Sequence, residues 1–305
     1  MLLSLPISNQ LIILPSLLNK NIQLTVKRLD QVHADISGNK WFKLKYNIKE
    51  AKNQGYKQLL TFGGAYSNHI YATAAAAKLS GLQSIGVIRG EENLPLNDTL
   101  AASQAYGMKF YYLSRSEYKE KKSLMVLEQL KAKFGEFYLI PEGGTNSLAI
   151  NGTMEILDQR DYEADIICSS IGTGGTLAGL LATAKATQQV WGFSALKGDF
   201  IHQEIENLLL ENQISPLCKY KVTSDFHFGG YAKYTQELVD FIQDFKSITD
   251  IALDPIYTGK MMYGILDLIQ KGDIPEGSKI LAIHTGGLQG IRGFNKRNNT
   301  QLSIS

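Results

Sequence analysis

Lys40 and Lys43 stand one helical turn apart, directly after Ser37-Gly38-Asn39. The apolar residues Trp41, Leu44, Ile48 and Ala51 recur at helical spacing, which predicts a helix with Asn39 as its N-cap and Lys40 in its first turn. A helix N-terminus carries partial positive charge and disfavours an ammonium there. Burial acts in the same direction, so an enclosed Lys40 is held toward the neutral amine, the form that attacks an aldehyde. Taken alone, a lysine in this place is more often a solvated charge. Its neighbours decide.

Gly172-Thr173-Gly174-Gly175-Thr176 follows an apolar strand and opens a helix containing Gly179. Glycines let backbone N–H groups approach an anion, and the helix N-terminus adds favourable polarity. No Gly-Lys-Ser/Thr follows, so this is not a nucleotide P-loop, and Leu177 occupies the place of the third glycine in a dinucleotide fingerprint. The next strand ends in Gly192-Phe193-Ser194 and offers no carboxylate to a ribose. A single phosphate group suits the loop better than ATP or NAD. Ser67, Asn68 and His69 open a second strand-to-helix loop, where Ser67 or Asn68 can cap a helix or meet a carboxylate or phenolate oxygen. Gly229-Gly230-Tyr231, Asp254-Pro255-Ile256-Tyr257-Thr258-Gly259-Lys260 and His284-Thr285-Gly286-Gly287 complete a series of glycine-bearing loops, most at expected strand or helix ends.

The elements that position these loops alternate. Strands are expected at Ile22–Lys27, Gln58–Phe62, Ser84–Ile88, Lys109–Leu113, Phe137–Ile140, Asp165–Ser170 and Val190–Ala195. Helices are expected from Lys40 to about Gln54, and at Asn68–Leu79, Leu96–Tyr106, Tyr118–Phe134, Ser147–Gln159 and Thr176–Lys185. Such alternation implies α/β architecture with mainly parallel sheets covered by helices. The 305 residues allow two domains, and the chain has neither repeats nor low-complexity linkers. With 44% hydrophobic residues, 20% charged residues and a net charge of +2, there is no electrostatic case for nucleic acid or an acidic membrane. Cys168 and Cys218 make no disulfide framework, and neither they nor the five histidines have metal-ligand spacing, so no metal is assigned. The greasy N-terminus lacks a basic leader and is interrupted by Pro6 and Pro15, so it is expected to pack on the fold of a cytoplasmic protein.

Gly38-Asn39-Lys40-x-x-Lys43-Leu44, Ser67-Asn68-His69, the 172–176 loop, Asp254-Pro255-x-Tyr257-Thr258-Gly259-Lys260 and His284-Thr285-Gly286-Gly287 occur in this order. Together they resemble the D-cysteine desulfhydrase and 1-aminocyclopropane-1-carboxylate (ACC) deaminase family, pyridoxal-phosphate enzymes of the tryptophan synthase β fold, fold type II. The resemblance covers nearly the whole chain, from about Ile22 to Gly290. It implies that Lys40 forms the Schiff base with pyridoxal 5'-phosphate and then serves as base for the α-proton. Lys43 resembles the family's phosphate-contacting lysine, and Thr173, Gly174, Gly175 and Thr176 match its phosphate cup. Asn68 corresponds to the residue beside the ring hydroxyl, Ser67 and His69 line the substrate carboxylate site, and Tyr231 and Tyr257 match two tyrosines that flank the substrate. The implied organisation is a larger cofactor-binding domain from 1–48 and 150–305, a smaller α/β domain from 49–149 carrying the Ser67-Asn68 loop, and a homodimer.

The family divides at two positions. ACC deaminases carry glutamate where Thr258 stands and leucine where Thr285 stands. A threonine hydroxyl donates to a neutral pyridine nitrogen, whereas a carboxylate favours a protonated, more electron-withdrawing ring. The resemblance therefore implies α,β-elimination, with D-cysteine giving pyruvate, ammonia and hydrogen sulfide. ACC deaminase, a deaminase or dehydratase with another amino-acid substrate, and a non-catalytic pyridoxal-phosphate binding protein are the rival readings. Phe42, Tyr66 and Tyr71 replace arginine, glutamine and arginine of the family pattern, and Glu142 replaces an apolar residue. Tyr66, next to Ser67, is expected to narrow the carboxylate end of the site.

Overall fold

The computed structural model describes residues 7–304, so Met1 to Pro6 of the expected N-terminal packing segment lie outside the described residues. Among the described residues, ten strands form two sheets. β1 (Asn9–Ile12), β2 (Gln23–Lys27), β7 (Ile166–Ile171), β8 (Gln189–Ser194), β9 (Lys219–Thr223) and β10 (Lys279–Ile283) build a six-stranded sheet ordered β1-β2-β10-β7-β8-β9. β3 (Gln58–Gly63), β4 (Gln83–Arg89), β5 (Met108–Leu113) and β6 (Tyr138–Ile140) build a four-stranded sheet ordered β5-β4-β3-β6. Every neighbouring pair is parallel except β1 with β2. β7, Ile-Ile-Cys-Ser-Ser-Ile, is buried along its whole length, as a central parallel strand covered on both faces must be.

Apolar clusters fill the faces of both sheets. Leu24, Val26, Phe193, Leu253 and Met262 pack on one side of the larger sheet, while Ile167, Ile171, Leu177 and Ile283 meet Leu44 and Ala76 on the side toward the smaller sheet. Burying each large aliphatic side chain contributes about 1.5–3 kcal/mol. Cys168 is one of these buried apolar residues, and burial pushes its thiol far above the usual range. Among the described residues no helix is long and apolar enough to cross a membrane.

Two expected helices are shorter than their patterns suggest. The stretch 118–134 is split into Arg115–Lys119 and Leu124–Phe134. Ser114 and Glu117 close a capping box on the first, and Ser123 caps the second by accepting from the Val126 N–H, so local caps override the continuous charge pattern. The helix from Ser147 ends at Thr153, whose hydroxyl bonds the Ile150 and Gly175 carbonyls. A short 3₁₀ turn, Gln159–Asp161, follows, capped by Asp158. β1 and the single-turn helix Pro15–Leu18 are elements that sequence patterning does not predict.

The helix Asn39–Asn53 lies against the helix Ser147–Thr153 at very short range: a Cβ on Gly152 would sit 2.0 Å from the Phe42 carbonyl oxygen. Gly38, at φ +69°, approaches the Thr285 backbone as closely, since a Cβ there would fall 2.0 Å from the Thr285 oxygen. The C-terminal ends of β3, β4, β6, β7 and β10 all feed loops that face one cavity, which is where open α/β sheets bind ligands.

Candidate active site

The cavity measures about 440 Å³ and lies between the two sheets. Lys40, Lys43, Ser67, Asn68, His69, Thr173, Gly174, Thr176, Tyr231, Tyr257 and Thr285 all line it. Gly175 lies just behind, as the first residue of the helix Gly175–Thr183. Thr258 is the exception.

Lys40 occupies the first helical turn, but Asn39 is not its N-cap. Gly38 takes that position without a side-chain cap, and the Asn39 N–H donates instead to the Thr285 carbonyl. Asn39 is thereby free to bridge: its Nδ2 donates to Thr176 Oγ1 at 2.8 Å, and its Oδ1 accepts from Lys40 Nζ at 2.8 Å. The amine is thus referenced directly to the glycine loop. Burial lowers the Lys40 pKa to about 8, against a smaller opposing pull from Asp254.

Lys43 is 2% exposed, and its Nζ donates to Gly143 O and Thr145 Oγ1 at 2.9 Å and to Thr173 Oγ1 at 3.3 Å. No carboxylate pairs with it among the described residues. Burial first, and the charge of Lys40 second, push its pKa well below the lysine range. A buried ammonium with only neutral oxygens around it is costly unless an anion completes the site. The adjacent loop supplies the rest of an anion cradle. Gly174 adopts φ +79° and starts the helix Gly175–Thr183, whose first N–H groups lack intrahelical partners. These residues fit a phosphate group.

Ser67 caps the helix Asn68–Leu79, accepting from the His69 and Ile70 N–H groups at 3.2 and 3.4 Å. Its hydroxyl hydrogen has no acceptor among the described residues. The Asn68 amide reaches toward the C-terminal glycines: a Cβ on Gly287 would come 2.9 Å from Nδ2. His69 is 2% exposed, with Nε2 at 2.8 Å from Thr61 Oγ1, and its Nδ1 has no partner. Burial, then the charges of Lys40 and Lys43, hold its pKa well below the ordinary value, so the ring is neutral. Tyr231 and Tyr257 meet edge to face with ring centroids 6.2 Å apart. Burial raises both phenols above their usual pKa, so both keep their protons at neutral pH.

Thr258, expected beside the ring nitrogen, is fully buried outside the cavity lining. Its N–H and hydroxyl both donate to Asp254 Oδ1 at 2.8 Å, and the hydroxyl accepts from the Asp254 N–H. Asp254 also takes the Ile256 and Tyr257 N–H groups on Oδ2. This knot aims Tyr257, and it consumes the hydroxyl that the resemblance assigned to a ligand. The hydroxyl residues that line this end of the cavity are instead the buried Thr285 and Ser170, 3.0 Å from each other.

Tyr66 does not narrow the site. It packs outward on Gly293, with Arg297 over its ring at 5.7 Å. Phe42 packs on Trp41, and Tyr71 packs on Tyr106, so none of the three departures lines the cavity. Arg89, Ser170 and Gln289 line it without being singled out by sequence; Glu142, noted as a departure from the family pattern, lines it too and is ion-paired to Lys121 at 3.2 Å. Ser170 could be found only by knowing that β7 and β10 are neighbours.

The profile of the family described as pyridoxal-phosphate dependent enzymes matches residues 8–286. A putative ACC deaminase of Pyrococcus horikoshii is 35% identical over 276 residues, covering 87% of this chain and 84% of that protein. A bifunctional D-cysteine desulfhydrase/ACC deaminase of Arabidopsis thaliana, described as mitochondrial, is 34% identical over 304 residues, covering 91% and 75%. The crystal structure of an ACC deaminase homologue superposes with a TM-score of 0.82 at 29% identity, over 97% of this chain and 94% of that one. With a lysine, an anion cradle and two α/β sheets arranged around one cavity, the chain belongs to the pyridoxal-phosphate dependent enzymes of fold type II.

Proposed function

We propose that this enzyme catalyses α,β-elimination from a small amino acid, with D-cysteine giving pyruvate, ammonia and hydrogen sulfide. The observation that carries the reading is the end of the cavity formed by Thr285 and Ser170: a pair of neutral hydroxyls, while the nearby Asp254 carboxylate lies outside the cavity lining and is bonded within its own loop. Hydroxyls serve a neutral pyridine ring, which suits a reaction whose leaving group departs with its own electrons.

Bound pyridoxal phosphate supplies an electron sink for the carbon that loses its proton. Lys43, Thr173, Gly174, Gly175 and Thr176 would hold its phosphate, Asn68 its ring oxygen and Lys40 its aldehyde carbon. Lys40 Nζ takes the α-proton, helped by a pKa of about 8 that leaves it ready to act as a base near neutral pH. Ser67 Oγ–H and the N-terminus of the helix Asn68–Leu79 orient the substrate carboxylate, with neutral His69 behind them. Tyr231 and Tyr257 keep phenolic protons that can pass to the leaving sulfur.

ACC deamination is the second reading, favoured by the names of relatives at 34–35% identity. Purified holoenzyme mixed with D-cysteine, L-cysteine, both serines and ACC separates the two. Pyruvate from D-cysteine is the expected product; 2-oxobutyrate from ACC without pyruvate from D-cysteine overturns the proposal. A cytoplasmic homodimer belongs to the same reading, and sedimentation of the purified chain tests its dimeric state.

A further inference from the structure

Among the described residues, the cavity holds one cation that neither the amine chemistry nor the phosphate cradle uses. Arg89 ends β4, at the mouth of the cavity, with its guanidinium over the Tyr118 ring at 5.8 Å. Its Nη2 lies 3.6 Å from where a Cβ on Gly64 would stand, so it flanks the loop that leads to Ser67 and Asn68. Among the described residues Arg89 has neither a hydrogen-bond acceptor nor a carboxylate partner. The other ionised group at this mouth, Glu142, is taken by Lys121. Tyr118, whose ring lies against the guanidinium, is 3% exposed. The result is a planar donor at the cavity lining whose N–H groups have no protein acceptor among the described residues.

Most polar groups that line the cavity already have an assignment under the elimination reading, on which this inference rests. Lys40 faces Cα, the Ser67-Asn68 helix start faces the α-carboxylate, and Tyr231 and Tyr257 face the leaving group. Arg89 sits beyond these, one strand further out in the smaller sheet. We propose that Arg89 is a specificity-determining residue that reads anionic oxygens at the far end of the substrate's β-substituent, extending the substrate class to amino acids bearing a β-phosphate ester. Guanidinium matches such groups bidentately, and an ammonium does not. With O-phosphoserine the α-proton passes to Lys40 Nζ, and the Cα–H electron pair becomes the Cα=Cβ bond. The Cβ–O bond breaks, and its electrons leave with phosphate. The 2-aminoacrylate released takes up water to give pyruvate and ammonium.

The test compares O-phosphoserine with O-acetylserine, each as both enantiomers, in the holoenzyme and in Arg89→Met and Arg89→Lys. Affinity is read from the change in cofactor absorbance, and turnover from pyruvate. The wild type is expected to bind the phosphate ester at least tenfold more tightly than the acetate ester. Arg89→Met is expected to reduce that ratio about tenfold or more, and Arg89→Lys to restore part of it. Equal losses for both esters would place Arg89 on the α-carboxylate and overturn the proposal, as would an unchanged ratio. Binding without pyruvate from any amino acid, D-cysteine included, contradicts the elimination reading alone, and the affinity ratio still decides for or against Arg89.

Discussion

Replacing Lys43 by methionine should move cofactor affinity and apoprotein stability by very different amounts. In the chain alone the ammonium is buried, lacks a counter-ion and donates to three neutral oxygens. Methionine has a similar length and no charge, so the desolvation cost of the cation disappears. Thr145 and Thr173 remain satisfied by their mutual bond at 2.6 Å, and only the Gly143 carbonyl loses its donor, a cost of about 1–3 kcal/mol. Relief and cost are of the same order, so the apoprotein should melt within a few degrees of the wild type. The cofactor phosphate, in contrast, loses a charge-assisted hydrogen bond worth about 1.5–3 kcal/mol, or roughly 10- to 150-fold in Kd. Titration of apoprotein with pyridoxal phosphate by absorbance, beside thermal unfolding without cofactor, measures both quantities. Cofactor affinity unchanged within twofold, or an apoprotein destabilised as strongly as the affinity falls, would refute the reasoning.

Three further outcomes are expected. Lys40 at a pKa of about 8 is roughly 10% neutral at pH 7, about 300-fold more than a lysine at the ordinary 10.5. The rate at which apoprotein captures pyridoxal phosphate should therefore rise about tenfold per pH unit below 8 and level above it, as stopped-flow absorbance can show; a rise continuing to pH 10 contradicts the burial argument. Gly152→Ala drives a Cβ into the Phe42 carbonyl and should destabilise by about 2 kcal/mol or more, read as a lower urea midpoint with unchanged slope. Lys27 is fully buried and donates to Asp161 at 2.6 Å and Asp158 at 2.8 Å, so Lys27→Met, which strands the buried Asp161 carboxylate, should cost about 3–5 kcal/mol. Adding Asp161→Asn should recover part of that loss in the same denaturation assay.

Much of the α/β framework was legible because parallel strands read as short apolar runs and the loops between them carry glycines. The Asn68–Leu79 helix has both bounds where its alanine-rich pattern puts them. The helix 118–134 was misjudged because mixed charge continues straight across the break at Ser123, and only the cap reveals it. At the cavity, the residues that could be named from sequence were those on glycine loops. Those that could not, Ser170 and Arg89, sit at strand ends whose neighbours are set by sheet order, a property no local pattern carries. Thr258 is placed differently from what its motif suggests, outside the cavity lining and bonded to Asp254. Its place in the motif suggested a ligand, and the nearest free acceptor was Asp254, four residues away in its own loop. Tyr66 failed for a related reason: adjacency to Ser67 in sequence says nothing about which side of the loop a ring takes.

The close approach of Gly38 to the Thr285 carbonyl, with the Asn39 N–H on the same oxygen, bears on how this scaffold diversifies. The distance from the reactive amine to position 285 is set by backbone meeting backbone, and the side chain at 285 takes no part in it. On the proposed reading, a new side chain at 285 retunes the electronic character of the bound ring while the lysine stays where it is. Gly38 has no such latitude, because any other residue would push the two segments apart. Reaction type is thus free to drift at one end of this contact, while the other end, which guards the competence common to every variant, is frozen.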